Sequence, residues 1–136
     1  MNMAKHLKIY GLTLVVFFLV DIVWLAFIST KLYEDQIGFL LKDDVNWLAA
    51  ALFYLLYIAG LVFFVIRPSI EQKSVRFALL VGGFFGLVTY ATYDLTNLAT
   101  LSDWPIFITV VDLLWGTFLN ATTAAITVYL VLKRQK

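Results

Sequence analysis

An all-α integral membrane protein with four transmembrane helices is the fold class that the sequence predicts, and three observations carry it. The chain of 136 residues is 62% hydrophobic and 14% charged, where soluble domains run roughly half apolar and a quarter charged. Its mean hydropathy is +0.91, and a chain this small has no interior large enough to hide that excess, so lipid is the implied solvent. Four long apolar segments follow one another: Leu7–Ser29, Trp47–Ile66, Phe77–Asn97 and Ile106–Leu132. Each has about the 20 residues that a helix needs to cross a hydrocarbon core of ~30 Å. The third observation is the distribution of basic residues. Lys5, Lys8, Arg67, Lys73, Arg76, Lys133, Arg134 and Lys136 flank one side of the spans, and only Lys31 and Lys42 flank the other.

That asymmetry places both termini in the cytoplasm, because cytoplasmic loops hold the excess of Lys and Arg. The chain is thus expected to cross its membrane four times, an even number that agrees with this orientation. The first segment is too long for a signal-peptide core and lacks a small-residue cleavage site, so it reads as retained. Strand-type alternation is absent, which counts against a barrel. No linker or low-complexity tract interrupts residues 1–136, which read as a single four-helix domain. In the first outer loop, Ile37, Leu40, Leu41 and Val45 fall at helical spacing opposite Glu34, Asp35, Lys42 and Asp43. This predicts a short interfacial helix. A membrane-surface connector is the simpler reading of it, and a lid over a pocket is the sharper one. Trp47 and Trp104 stand at outer boundaries, where indoles commonly settle. Pro68 reads as the end of the second helix.

Composition also excludes chemistry. A net charge of +1 provides no basic field for nucleic acid. The chain has no cysteine, which removes disulfides, thiolate metal sites, iron–sulfur clusters and Cys nucleophiles. The single histidine, His6, precedes the first span and cannot build bis-histidine haem ligation. No dinucleotide fingerprint is present, so no haem, iron–sulfur or nucleotide cofactor is expected.

The polar residues inside the spans carry what functional signal there is. "FLVDIVWLAF" (Phe18–Phe27) and "TVVDLLWGTF" (Thr109–Phe118) share Val-Asp, two aliphatics and Trp. At ~1.5 Å per residue, Asp21, Asp94 and Asp112 all fall in the outer half of the core, within about 5 Å of one another in depth. Gly82, Gly86, Tyr90, Asp94 and Asn97 form one stripe on the third helix. Asp112, Gly116, Asn120, Thr123 and Thr127 form a similar stripe on the fourth. Small residues in such stripes permit close helix contact. Tyr54 and Tyr57 on the second helix complete the wall. An ionisable group in hydrocarbon should face the bundle and have a partner, yet no Lys or Arg lies inside any span to pair with these three. The carboxyls therefore carry protons, accept hydrogen bonds as structural glue, or hold an oxygen-ligated cation or a positively charged ligand group.

"YDLTNLAT" (Tyr93–Thr100), then Trp104-Pro105, then "VDLLWGT" (Val111–Thr117) resembles a family of small bacterial membrane proteins of unknown function, about this length and four-helical throughout. The resemblance makes Tyr93, Asp94, Thr96, Asn97, Asp112, Trp115 and Gly116, with Asp21 and Trp24, its motif positions, and it assigns them no roles; with the orientation above, it implies a multi-pass protein of the bacterial cytoplasmic (inner) membrane. The candidate proton-handling or cation-binding residues are thus Asp94, Asp112 and Asp21. The candidate ligand contacts are Trp24, Trp115, Tyr90, Tyr93, Thr96, Asn97, Asn120, Tyr54 and Tyr57. Three functions fit, in this order: an outer-leaflet pocket for a lipid-like or small amphiphilic ligand, with acid–base rather than redox chemistry if it is an enzyme; an accessory subunit of a larger membrane complex; and a small proton-coupled transporter acting as an oligomer. Expected partners are membrane lipid and either a homodimer or a larger membrane complex.

Overall fold

The computed structural model describes residues 2–135 and is helical throughout, with no strand among the described residues. Lys136, counted above with the basic flank, lies outside them. Three helices begin at short polar caps whose side chains accept a first-turn amide. Asn2 accepts from Lys5 at 2.9 Å, Asn46 from Ala49 at 3.1 Å and Ser74 from Phe77 at 2.9 Å, each satisfying an amide with no partner inside its own helix.

The first span is longer than its apolar run. Helix α1 (Met3–Trp24) passes through a π-helical turn at Leu25–Ser29 and continues as α2 (Thr30–Ile37) and a 3₁₀ turn, Gly38–Leu40. The turn adds one residue to the inward face, so the buried positions step from Asp21 and Trp24 to Ser29 and then Ile37. The Leu25 carbonyl at this turn receives the Thr30 hydroxyl at 3.2 Å and the Ser29 hydroxyl at 3.5 Å. The helix expected in the first outer loop is therefore present, but it begins earlier and is continuous with the first span. Its inward stripe ends at Ile37; Leu40, Leu41 and Val45 are exposed. Ile37 packs with Trp104 and Ile108, and Leu32, Tyr33 and Leu98 surround them.

Helix α3 (Trp47–Leu61) continues through a second π-helical turn, Val62–Ile66, into α4 (Arg67–Glu71). Pro68 lies inside this continuous helix and does not end it. Proline lacks an N–H and crowds the carbonyl four residues back; the wide turn just before it relieves that contact. The helix closes two residues after Glu71, where Lys73 takes a left-handed conformation (φ 53°) and the Ser74 amide reaches the Ser69 carbonyl at 3.0 Å.

Helices α5 (Val75–Thr100) and α6 (Ile106–Arg134) form a tight antiparallel pair, and α1 lies against α6. Both predicted stripes face inward: Gly82, Gly86 and Asp94 are buried on α5, and Asp112, Gly116, Asn120, Thr123 and Thr127 on α6. The second span joins the others mainly through Val62–Glu71, while α3 approaches α1 and reaches α5 and α6 only near its inner end, through Tyr57. The bundle is thus closed at the end that holds both termini and splayed at the opposite end. Large apolar side chains such as Leu19, Phe27, Leu56, Phe84 and Leu114 cover its outside and are more than half exposed. All four spans are long and apolar enough to cross a membrane.

Glycine is required where α5 meets α6. A Cβ on Gly86 would strike the Gly116 carbonyl oxygen and lie 2.8 Å from the Asn120 Cβ, whereas one on Gly11 would meet nothing within 4 Å. Gly86→Ala should therefore separate the pair, costing about 1–3 kcal/mol or more, as overpacking does. Gly11→Ala should be neutral or stabilising by up to about 1 kcal/mol from helix propensity. Thermal unfolding of the two variants in one detergent checks the contrast.

Candidate functional site

Each carboxyl group is set by the helix that carries it. Asp112 lies in the second turn of α6 and faces inward at 4% exposure; Asp94 lies near the end of α5 at 0%. The glycine contacts hold these two helices close, and the carboxyl of Asp94 sits beside that of Asp112. The Tyr33 hydroxyl, brought in by α2, donates to Asp112 Oδ1. Neither oxygen of Asp94 has a hydrogen-bond partner within the chain. Ionised carboxylates only accept, so Asp94 and Asp112 are two acceptors that only a proton or a cation can join. Among the described residues the one ion pair is Arg67–Glu71, at the bundle's exterior, so no Lys or Arg answers either group.

Asp21 has a different setting. Trp115 Nε1 donates to its Oδ1 at 3.3 Å, and Trp115 stacks on Trp24 with centroids 4.7 Å apart and planes 10° from parallel. The repeated Val-Asp-x-x-Trp thus becomes a crossed contact between antiparallel helices: the tryptophan of one copy holds the aspartate of the other. The reciprocal place is filled by Tyr33, whose hydroxyl lies against the Trp24 indole and binds Asp112. Asp21 does not join Asp94 and Asp112; among the described residues no three acidic or histidine side chains come together as a metal cluster.

The splayed end of the bundle holds a cavity of about 670 Å³, within the usual range for small-molecule sites. Ser29, Tyr33 and Ile37 wall it from the first span, Phe53 and Tyr57 from α3, Thr89, Tyr90 and Tyr93 from α5, and Asp112 from α6. Phe53 and Tyr93, at 56% and 55% exposure, mark its side opening. At its closed end the Tyr57 hydroxyl donates to Asn120 Oδ1 at 2.8 Å and lies 3.0 Å from Thr89 Oγ1. Asn120 in turn donates to the Gly116 carbonyl at 2.8 Å.

Of the residues singled out from the sequence, Asp112, Tyr57, Tyr90 and Tyr93 line this cavity, and Asp94 stands beside Asp112. Trp24, Trp115 and Asp21 form the crossed contact, Asn120 supports Tyr57, and Tyr54 packs on Phe17 and Phe18. Asn97 is half-buried outside the lining, and Thr96 is exposed. Sequence reasoning missed Tyr33, Thr89 and Phe53. It also missed the burial of Trp104, which is 7% exposed, donates to Thr109 Oγ1 at 3.0 Å and meets Tyr93 edge-on. Trp47, at the start of α3, is 75% exposed.

The crossed contact makes a structural prediction. Trp115→Phe keeps an aromatic ring against Trp24 but strands a buried Asp21 oxygen, at a cost of about 1–3 kcal/mol. Removing both polar partners, as Asp21→Leu with Trp115→Phe, should recover most of that loss in thermal unfolding. No recovery would mean that the bond is not what stabilises this contact.

Residues 6–129 match the family model described as "Predicted membrane protein (DUF2177)". No curated protein and no solved structure matches the chain. With nearly its whole length matched and four helices long and apolar enough to cross a membrane, the chain belongs to this family of membrane proteins, whose function is uncharacterised.

Proposed function

We propose that the cavity binds a lipid-like or small amphiphilic ligand that enters sideways between α3 and α5, its polar end at Asp112 and its apolar body toward Phe53 and Ile37. One observation carries this reading: an apolar cavity of about 670 Å³ is walled by Asp112, beside Asp94, which no donor of the chain answers. An unanswered buried acid is costly where it serves only structure, and a ligand cavity beside it gives it a use. Asp94 and Asp112 hold a proton between them, and any chemistry here is acid–base transfer to or from the bound polar end. Tyr33 orients the pair through Asp112. Asp21 lies outside this role, because the chain already supplies its donor.

The same reading sets the protein in a bacterial cytoplasmic membrane, as its motif resemblance implies, with both termini inside on the strength of the basic residues at the terminal end. A single cysteine introduced at Gln135 of this cysteine-free chain should then react with an impermeant thiol reagent only in inverted vesicles. The cavity faces the outer leaflet in that orientation.

The accessory-subunit reading is favoured by Asp21 and Asn120, polar groups fully employed in holding helices together. It predicts that aspartate-to-asparagine changes are tolerated throughout. Native mass spectrometry of protein extracted gently from its own membrane separates the two. We expect an amphiphile on the wild type and on Asp21→Asn, absent from Asp94→Asn and Asp112→Asn. A bare wild type that instead co-purifies with a larger complex would favour the accessory role.

A further inference from the structure

We infer that the polar end of the ligand is a cation: an ammonium group, primary to quaternary, on an apolar body that carries no phosphate. This rests on the cavity being an amphiphile site, and it deepens that reading by naming the headgroup. Four tyrosines and a phenylalanine bound the space, and the aromatic face attracts a diffuse organic cation. Two acids line it, Asp112 from α6 and the exposed Glu34 from α2, while no Lys or Arg does. Tyr33 donates to one Asp112 oxygen, and the Asp112 carboxyl remains part of the cavity wall, where a ligand can meet it.

The independent observation is Asp94. It is 0% exposed, no donor of the chain reaches either of its oxygens, and its carboxyl neighbours that of Asp112. Sharing one proton, the two acids still leave one negative charge at the cavity wall with no Lys or Arg of the chain to meet it, and a positive group offsets it. A phosphate there would be repelled with nothing to neutralise it. A dehydrated divalent ion fits poorly, since such ions take six or more oxygen ligands and the acids here come as a pair flanked by rings. An ammonium can meet one carboxylate oxygen and spend its remaining surface on aromatic faces.

The test uses the purified full chain in maltoside micelles, read by thermal midpoint and by tryptophan fluorescence from the stacked Trp24 and Trp115. The probes are decyltrimethylammonium, decylamine, decanol, phosphatidylethanolamine and magnesium ion alone. Decyltrimethylammonium and decylamine should raise the midpoint at concentrations where decanol does not, and Asp112→Asn should weaken both by roughly tenfold or more without changing the response to decanol. This selectivity is read on the wild type, so it stands even if the variant folds poorly. Equal binding of decanol overturns the cationic headgroup and leaves the amphiphile cavity intact. Phosphatidylethanolamine binding as well as the simple amines overturns the exclusion of phosphate. A shift with magnesium alone replaces the organic cation with a metal. No response to any probe overturns the cavity as a ligand site altogether.

Discussion

Backbone contact between α5 and α6 is the constraint on which the rest of the structure depends. In lipid there is no hydrophobic drive to press helices together, and association rests on close packing and on polar groups that meet. Gly86 against the Gly116 carbonyl, and Gly82 with its Cβ position 2.8 Å from Ala124, bring the two axes close. That closeness carries the Asp94 carboxyl to Asp112, lays Tyr90 over Gly116, and buries Asn120 where Tyr57 can reach it. Larger residues at these glycines would separate the acids as well as the helices. Packing and chemistry are here one property of one stripe.

The cavity follows from the opposite condition on the second span. Its Val62–Glu71 half packs into the bundle, with Val65 and Ile66 fully buried, while most of Trp47–Leu56 is exposed. The polar bridge from Tyr57 to Asn120 and Thr89 marks the depth at which α3 leaves α5. Beyond it the gap is walled by α2, which the first span can provide only because its helix does not stop at the end of its apolar run. A bundle closed at one end and splayed at the other thus has its polar groups at the base of an apolar opening.

The four spans were legible because about 20 apolar residues have one economical use in a chain of this size. The inward stripes of α5 and α6 were legible too, since small and polar residues at helical spacing have nowhere else to go in lipid. Tyr33 was hidden by register. It stands twelve residues after Asp21, about 120° around an unbroken α-helix; one residue inserted at the π-helical turn reduces that to roughly 20°. The hydroxyls of Ser29 and Thr30, which bind the Leu25 carbonyl, were the available signal. Pro68 misled for the same reason, because a widened turn upstream lets the helix pass it. Thr96 drew attention through its place in a motif, but its position on α5 turns it away from the partner helix. Trp104 carried the weakest signal, since boundary indoles and buried indoles look alike until a partner such as Thr109 is placed.

The two copies of Val-Asp-x-x-Trp show how one local pattern comes to serve two purposes. On antiparallel helices the copies meet head to tail, which stacks their tryptophans and would allow each indole to hold the other's acid. Only one exchange is made directly, from Trp115 to Asp21. On the other side the first span inserts Tyr33 between Trp24 and Asp112, and α5 sets Asp94 behind it. Asp21 and Asp112 are equally enclosed, but Asp21 has its indole donor in place and lies off the cavity, while Asp112 forms part of the cavity wall. What separates the structural acid from the candidate working acid is therefore not its own helix but what the neighbouring helices bring to it.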